Sequence, residues 1–358
     1  MPEPAAAGPS GNRSASSSVA RRAALDVAAE LSDSVFFPAA LEVDRAEAVP
    51  VSHLDALAVA GFYGLVGPLE YGGLGLRPDE SLAVIERLAA GCLTTTFVWL
   101  QHHASIRAVS LAGGAVAEDW LRPLCTGERR AGVAFAGLRR PGPPLITAER
   151  TEEGWALTGV APWVTGWSRI GVMLVGARVP TMPGVPVLWL LVDAIESDRV
   201  SVERLRLEAV NASVTVSTTF DRAQVGDDRV VGIEPYASWQ ERDAAGLRTN
   251  GSLSLGLALR SAGLLGGSAG RAIETLVAER RHELDTVDLR HLPRARAAAA
   301  ELALAAASSL VIETGGRAVL LESIAQLLAR QAIFLLVFGQ TPAIKSEQLR
   351  LRATGWSS

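Results

Sequence analysis

Few side chains in this 358-residue chain are of the kinds that do chemistry unaided. Gln101-His102-His103 lies in an apolar, helix-patterned stretch. Neighbouring helix positions point about 100° apart, so the two imidazoles do not make the i, i+4 pair that a metal ion asks for. A packing or hydrogen-bonding role is the simpler reading. Cys92 and Cys125 match no metal spacing, give no disulfide framework, and read as buried packing residues. Asp193, Asp198, Asp221 and Asp227 are scattered among short apolar runs and read as solvated turn residues. No Ser-His-Asp order with a nucleophile elbow is present. Arg139-Arg140, in AGLRRPGPP, has the fork geometry that suits phosphate, although a solvated arginine pair is the more ordinary reading. Trp163, taken alone, is a core tryptophan on a hairpin.

The elements that must position these residues follow from periodicity. Hydrophobic residues make up 49% of the chain and charged residues 20%, enough for a large packed core. The net charge is −4 and no basic stripe stands out, which argues against a nucleic-acid partner. Residues 1–19 are Pro/Ala/Gly/Ser-rich and are expected to be a disordered tail without the apolar core of a secretory signal. Residues 20–129 carry a helical period and are expected to form an N-terminal helical domain, with Ser52 capping one helix and Pro78 opening another. Residues 130–235 switch to a period of two. LITAERTEEGWALTG reads as a hairpin, and the region as an antiparallel barrel or sandwich. Residues 236–358 return to the helical period, with four helices expected at Gly251–Gly266, Ala269–Asp285, Pro293–Thr314 and Val319–Phe338. The fold class is therefore α+β: helices, β-domain, helical bundle. The longest apolar run, around Ala332–Val337, is too short to span a bilayer, so no membrane role and a cytoplasmic location are expected. Its all-round apolarity marks it as core or as an oligomer interface.

Three segments resemble the acyl-CoA dehydrogenase family. GFYGLVGPLEYGGLGL, from Gly61 to Leu76, is similar to the family's G-L-x-G-x-x-x-P-x-x-Y-G-G-L-G loop. GWALTGVAPWVTG, from Gly154 to Gly166, is similar to its strand pair ending in G-x-K-x-W-I-T, with Ala161 in place of the lysine. The run from Gly315 to Thr341 lies without a gap on the family's C-terminal motif, matching at Gly315, Gly316, Glu322, Arg330, Ala332 and Thr341. The resemblance implies bound FAD, with Trp163, Thr165, Thr341 and Gln340 at the cofactor. Arg281 (or Arg280) would replace the arginine that reaches a partner subunit's FAD. It also implies an acyl thioester of CoA or a carrier protein as substrate.

The departures from the family bear on chemistry. The family glutamate that removes the α-proton falls on Gly339, and the alternative location, on the first helix of the bundle, falls on Gly256. A glycine takes no proton, so the catalytic residue is unassigned; Glu322 and Glu347 are nearby in sequence, but neither is at a family position for the base. The bundle also reads as shorter than the family's by a few tens of residues, on element-length priors. The reading that follows is a flavoprotein oxidoreductase related to the acyl-CoA dehydrogenases, with a non-standard or absent base. The alternatives are a flavin monooxygenase on the same fold, which needs no such base, or a non-catalytic subunit of a heteromeric enzyme. A homo-oligomer or a hetero-oligomer with a related chain is expected through the C-terminal bundle.

Overall fold

The computed structural model describes residues 22–355; the expected tail lies outside the described residues. Helix α1 (22–30) continues as a π-helical turn at Leu31–Phe36 and is followed by α2 (Ala40–Arg45) and α3 (Val51–Val59). Pro50, not Ser52, stands at the N-cap of α3, because the chain is already helical at Val51. The glycine-bearing segment then forms two short 3-10 turns, Phe62–Gly64 and Leu69–Tyr71. Helix α4 (Pro78–Gly91) opens as its sequence implies: Pro78 sits in the first turn and the Glu80 carboxylate accepts the Arg77 N–H at 2.9 Å. Helices α5 (Leu93–Ala112) and α6 (Gly114–Thr126) complete the first helical region.

Eight strands follow: β1 (Ala131–Ala134), β2 (Ile146–Thr151), β3 (Gly154–Val164), β4 (Val172–Arg178), β5 (Val187–Asp193), β6 (Val200–Arg204), β7 (Val216–Val225) and β8 (Val230–Glu234). They form one sheet in the order β6-β7-β3-β2-β4-β5-β8, with β1 alongside β4. The β2–β3 hairpin turns at Glu152-Glu153, as TEEG implies. The sheet is mixed and not purely antiparallel, because β1 and the start of β2 both pair with β4 in parallel. Strands β4 and β5 are apolar throughout because both of their faces are covered. Met173, Val175, Leu188 and Leu190 face the β-domain core, whereas Val172, Leu174, Val187 and Leu191 pack with Ile106 and Val109 of α5 and Leu121 of α6.

The C-terminal region holds five helices: α7 (Tyr236–Leu265), α8 (Gly267–Thr286), α9 (Leu292–Thr314), α10 (Ile324–Val337) and α11 (Pro342–Gly355). Helix α7 starts 15 residues before the expected Gly251, since its polar first half (YASWQERDAAGLRTN) shows little apolar periodicity yet seats Trp239 and Leu247 in the interior. The expected fourth helix begins only at Ile324, after a 3-10 turn at Gly315–Val319, and α11 had no apolar signal. The stretch Leu292–Val319 is long and apolar enough to cross a membrane by length and composition, but its alanines are the middle of the bundle. Ala303 and Ala307 join one core, and Ala295, Ala299 and Ala306 another. The first of these cores is continuous with α4 and α5 through Leu88, Leu93, Leu253, Leu328 and Leu335, so the two helical regions are packed as one body against the sheet.

Candidate functional site

Between the β-domain and helices α5, α7 and α10 lies a cleft of about 1930 Å³. Small-ligand pockets are commonly ~300–1,000 Å³, so this one has room for a dinucleotide and a second ligand. Its β-side wall is built at a bulge. Ala161 pairs with Thr218 and Val164 with Val216, which leaves one extra residue on β3. Trp163 sits in that bulge with a left-handed φ of 64°, and its side chain is 56% exposed. A left-handed tryptophan costs on the order of 1–3 kcal/mol and persists only where its surroundings enforce it. Here the enforced conformation turns a large aromatic out of the sheet and into the cleft. Two residues on, Thr165 is buried at the cleft wall, with its hydroxyl 3.2 Å from that of Thr215, which in turn meets Ser213 at 2.8 Å.

The opposite wall is the turn from α10 to α11. Gly339 has φ 61°, and a Cβ added there would lie 2.6 Å from Nδ2 of Asn250 on α7. The position is therefore glycine for two reasons: the turn needs a left-handed residue, and the Asn250 amide occupies the space a side chain would enter. Thr341 caps α11, its hydroxyl accepting the Ile344 N–H at 3.3 Å, with Pro342 at the first helical position. Gln340 donates its amide to Gln348 at 2.8 Å. Beneath this turn lies Arg296 of α9, fully buried. It donates to the carbonyls of Leu335 at 3.1 Å and Phe338 at 3.5 Å, and to the Ser254 hydroxyl at 3.3 Å. Burial pushes its pKa down to about 10. A cation at the last carbonyls of a helix is favourably placed, and this one fixes where α10 stops.

The structure thus brings Trp163, Thr165, Gln340, Thr341 and Gly339 to one cleft. It does not bring Arg281 or Gly256. Arg281 is committed to an ion pair with the buried Glu86 of α4, and Arg280 to Glu283 at 2.5 Å. Gly256 is at the crossing of α7 with α4: a Cβ there would lie 2.3 Å from the Glu86 carbonyl and 2.8 Å from the Ala89 Cβ. The alternative base position is thus corrected to a packing glycine, with no room for any side chain. The cleft-facing positions of α7 recur at helical spacing as Trp239, Arg242, Asp243, Gly246, Thr249 and Asn250. Glu322 is exposed and Glu347 pairs with Arg350; neither lines the cleft.

Three carboxylates do line it. Asp243 receives a bidentate fork from Arg139, at 2.7 and 2.6 Å. Glu234 is held by Arg242 and by the Trp189 indole N–H. Glu208 is exposed. A carboxylate whose lone pairs are filled by a guanidinium fork is poorly placed to accept a proton. Arg139 is accordingly neither a solvated surface residue nor an open phosphate fork. A third cleft arginine, Arg330, pairs with Asp44 and donates to the Glu208 carbonyl. Arg107, Arg140, Arg206 and Lys345 also line the cleft and have no carboxylate partner among the described residues. Seven cations against three carboxylates make the cleft electropositive in a chain of net charge −4. Arg107, Asn250 and Asp243 carry sequence signals too weak to single out, save that Arg107 is the charged member of a largely apolar stripe of α5.

The histidines are structural. His102 donates from Nε2 to the Leu124 carbonyl at 3.0 Å and accepts the Ala131 N–H on Nδ1 at 2.9 Å, which fixes a neutral tautomer and ties α5 to β1. His103 donates to the Phe62 carbonyl at 3.0 Å. Burial holds both below the ordinary imidazole range, His102 well below it and His103 down to about 4, with the Arg107 charge acting on His103 in the same direction.

Residues 19–128 match the acyl-CoA dehydrogenase, N-terminal domain family. The 3-sulfinopropanoyl-CoA desulfinase of Cupriavidus necator is 29% identical over 162 residues, 42% of this chain and 40% of that protein. The chain thus spans about two fifths of the length of that curated relative. The glutaryl-CoA dehydrogenase of Mycobacterium smegmatis, solved in complex with FADH2, superposes with a TM-score of 0.77 at 16% identity, covering 94% of each chain. The dibenzothiophene monooxygenase of a Paenibacillus species superposes with a TM-score of 0.73 at 18% identity, covering 91% of this chain and 96% of that one. Residues 19–128 thus match the family's N-terminal domain, and the fold of the described chain is that of the solved acyl-CoA dehydrogenases.

Proposed function

We propose that this chain is an FAD-dependent oxidoreductase that does not act through an α-proton-abstracting carboxylate. The observation that carries this reading is the Gly339 turn. The residue nearest to Gly339 across the cleft is an amide, Asn250, and two of the three cleft carboxylates are locked to arginines. The cleft otherwise fits a flavin. Trp163 offers an aromatic wall, Thr165 and Thr341 offer hydroxyls, and Arg206 and Lys345 offer positive charge suited to a diphosphate. Bound there, FAD would supply hydride or oxygen chemistry that no side chain of the chain provides.

The substrate reading is an acyl thioester of CoA or a carrier protein, or a related small molecule. The relative named a desulfinase and the solved neighbour named a monooxygenase both illustrate activities other than dehydrogenation on this fold. A monooxygenase is the second reading, favoured by the missing base. The excess of cations lining the cleft speaks for an anionic ligand and so against a purely structural subunit. Association through the bundle remains part of the proposal on the apolar run Ala332–Phe338, whose exposed Ile333 and Val337 also line the cleft. The test is the visible spectrum of the purified chain. Flavin bands that survive desalting support the reading. A colourless chain that takes up no added FAD contradicts it.

A further inference from the structure

The cleft-facing side of α5 reads Phe97, Leu100, Gln101, Ala104, Arg107 and Leu111, a stripe at helical spacing. Its two polar members differ. Gln101 satisfies its amide on the Phe97 carbonyl at 3.1 Å, whereas Arg107 has no hydrogen-bonding or ionic partner among the described residues. The Arg107 side chain reaches into the solvent that fills the cleft, yet is crowded enough by protein that desolvation holds its pKa below the ordinary arginine value. The guanidinium is thus set among apolar side chains yet open to the cleft, and an aliphatic side chain would have closed the same wall.

Its distance from the Gly339 turn is set by the helix. Phe97 packs edge-on against Phe334 and Phe338 at centroid distances of 5.1 and 5.0 Å, and Phe338 immediately precedes Gly339. Ten residues along an α-helix is about 15 Å. Arg139, by contrast, is closed off by Asp243, so Arg107 offers an open fork where its neighbour does not.

We propose that Arg107 is an oxyanion-recognition residue, reading a phosphate or carboxylate of a ligand bound in the cleft, about 15 Å along α5 from the Phe97 that packs on the Gly339 turn. The proposal rests on the cleft being the substrate site. Planar guanidinium donors bind such oxyanions with charge-assisted bonds, each typically worth tenfold or more in affinity, on the order given by general energetics. The two sources of the oxyanion are a phosphorylated carrier arm and a carboxylate on the acyl chain itself.

The test uses the full chain as purified and isothermal titration with two probe pairs. One pair is 4′-phosphopantetheine and pantetheine; the other is S-glutaryl-pantetheine and S-valeryl-pantetheine. The expected result is that one anionic probe binds about tenfold or more tightly than its neutral partner. Which pair discriminates identifies the source. The advantage should fall below about threefold in Arg107→Met and be partly kept in Arg107→Lys. The proposal is overturned if the wild-type chain discriminates neither pair, binds no probe, or keeps the full advantage in Arg107→Met. The wild-type comparison stands even if a variant fails to fold. A chain that lacks flavin but still shows Arg107-dependent binding would sink the oxidoreductase reading and leave this one standing.

Discussion

Two walls of one cleft have been built to opposite ends. On the β3 side the backbone is forced into a left-handed bulge so that Trp163 stands out into the cleft. On the α10–α11 side the left-handed residue is Gly339, which presents no side chain. Both conformations are fixed by their surroundings, the first by the register shift against β7, the second by Arg296 below and Asn250 across. The difference teaches that, on the proposed reading, the cleft offers an aromatic wall to a planar cofactor and, at the facing turn, no side chain that could take a proton.

The largest effect expected is at Gly256. Read as a lost base, this position should accept a side chain; read as a helix crossing, it should not. Gly256→Val would drive a side chain into the Glu86 carbonyl, and we expect a loss of about 3 kcal/mol or more, or failure to fold. A denaturation midpoint within experimental error of the wild type would refute the packing assignment and reopen the question of the base.

Next in size is acid stability. His102 and His103 are held neutral in the fold, so the unfolded chain binds more protons below the ordinary imidazole pKa. Stability should be full above pH ~6.5 and fall as pH drops towards about 4, with His103 alone contributing on the order of 3 kcal/mol across that window. Urea midpoints at pH 7.5, 6 and 5 would read this. A flat profile would mean that the two imidazoles are not buried neutral between α5, β1 and the Phe62 turn.

The alternation of periods, the Glu152-Glu153 hairpin and the Pro78 start are local features, and the sequence displays them. The two parallel pairings to β4 are not local, and nothing in short apolar strands distinguishes them from antiparallel ones. The first half of α7 escaped because its helix is amphipathic around Trp239 and Leu247 alone, with charged residues elsewhere. Resemblance placed Trp163, Thr165, Gln340 and Thr341 where the cleft lies. It misplaced Gly256, because a glycine at a helix crossing and a glycine replacing an acid look the same in one sequence. The Arg139–Asp243 fork joins residues 104 apart and had no local signature.

A smaller effect on stability, but a direct one on the cofactor, is expected at Trp163. Trp163→Ala removes an exposed, strained side chain, so the unfolding free energy should change by less than about 1 kcal/mol. Flavin retention should fall, because an aromatic wall is lost. Equal flavin content after gel filtration of both proteins would show that the bulge serves some other end.

The central claim is that this chain, alone, does not desaturate ordinary saturated acyl-CoAs at a useful rate. Loss of a positioned general base typically costs about 10²–10⁴-fold, and Gly339→Glu should not repair it unaided, because the new side chain would meet Asn250 from a left-handed backbone. The most direct measurement is anaerobic mixing of the flavin-loaded protein with butyryl-, octanoyl- and glutaryl-CoA while the flavin absorbance is followed. Absorbance that persists over many seconds is the predicted result. Rapid bleaching with any of the three would contradict it and would require a carboxylate such as Glu208 or a released Asp243 to act as the base.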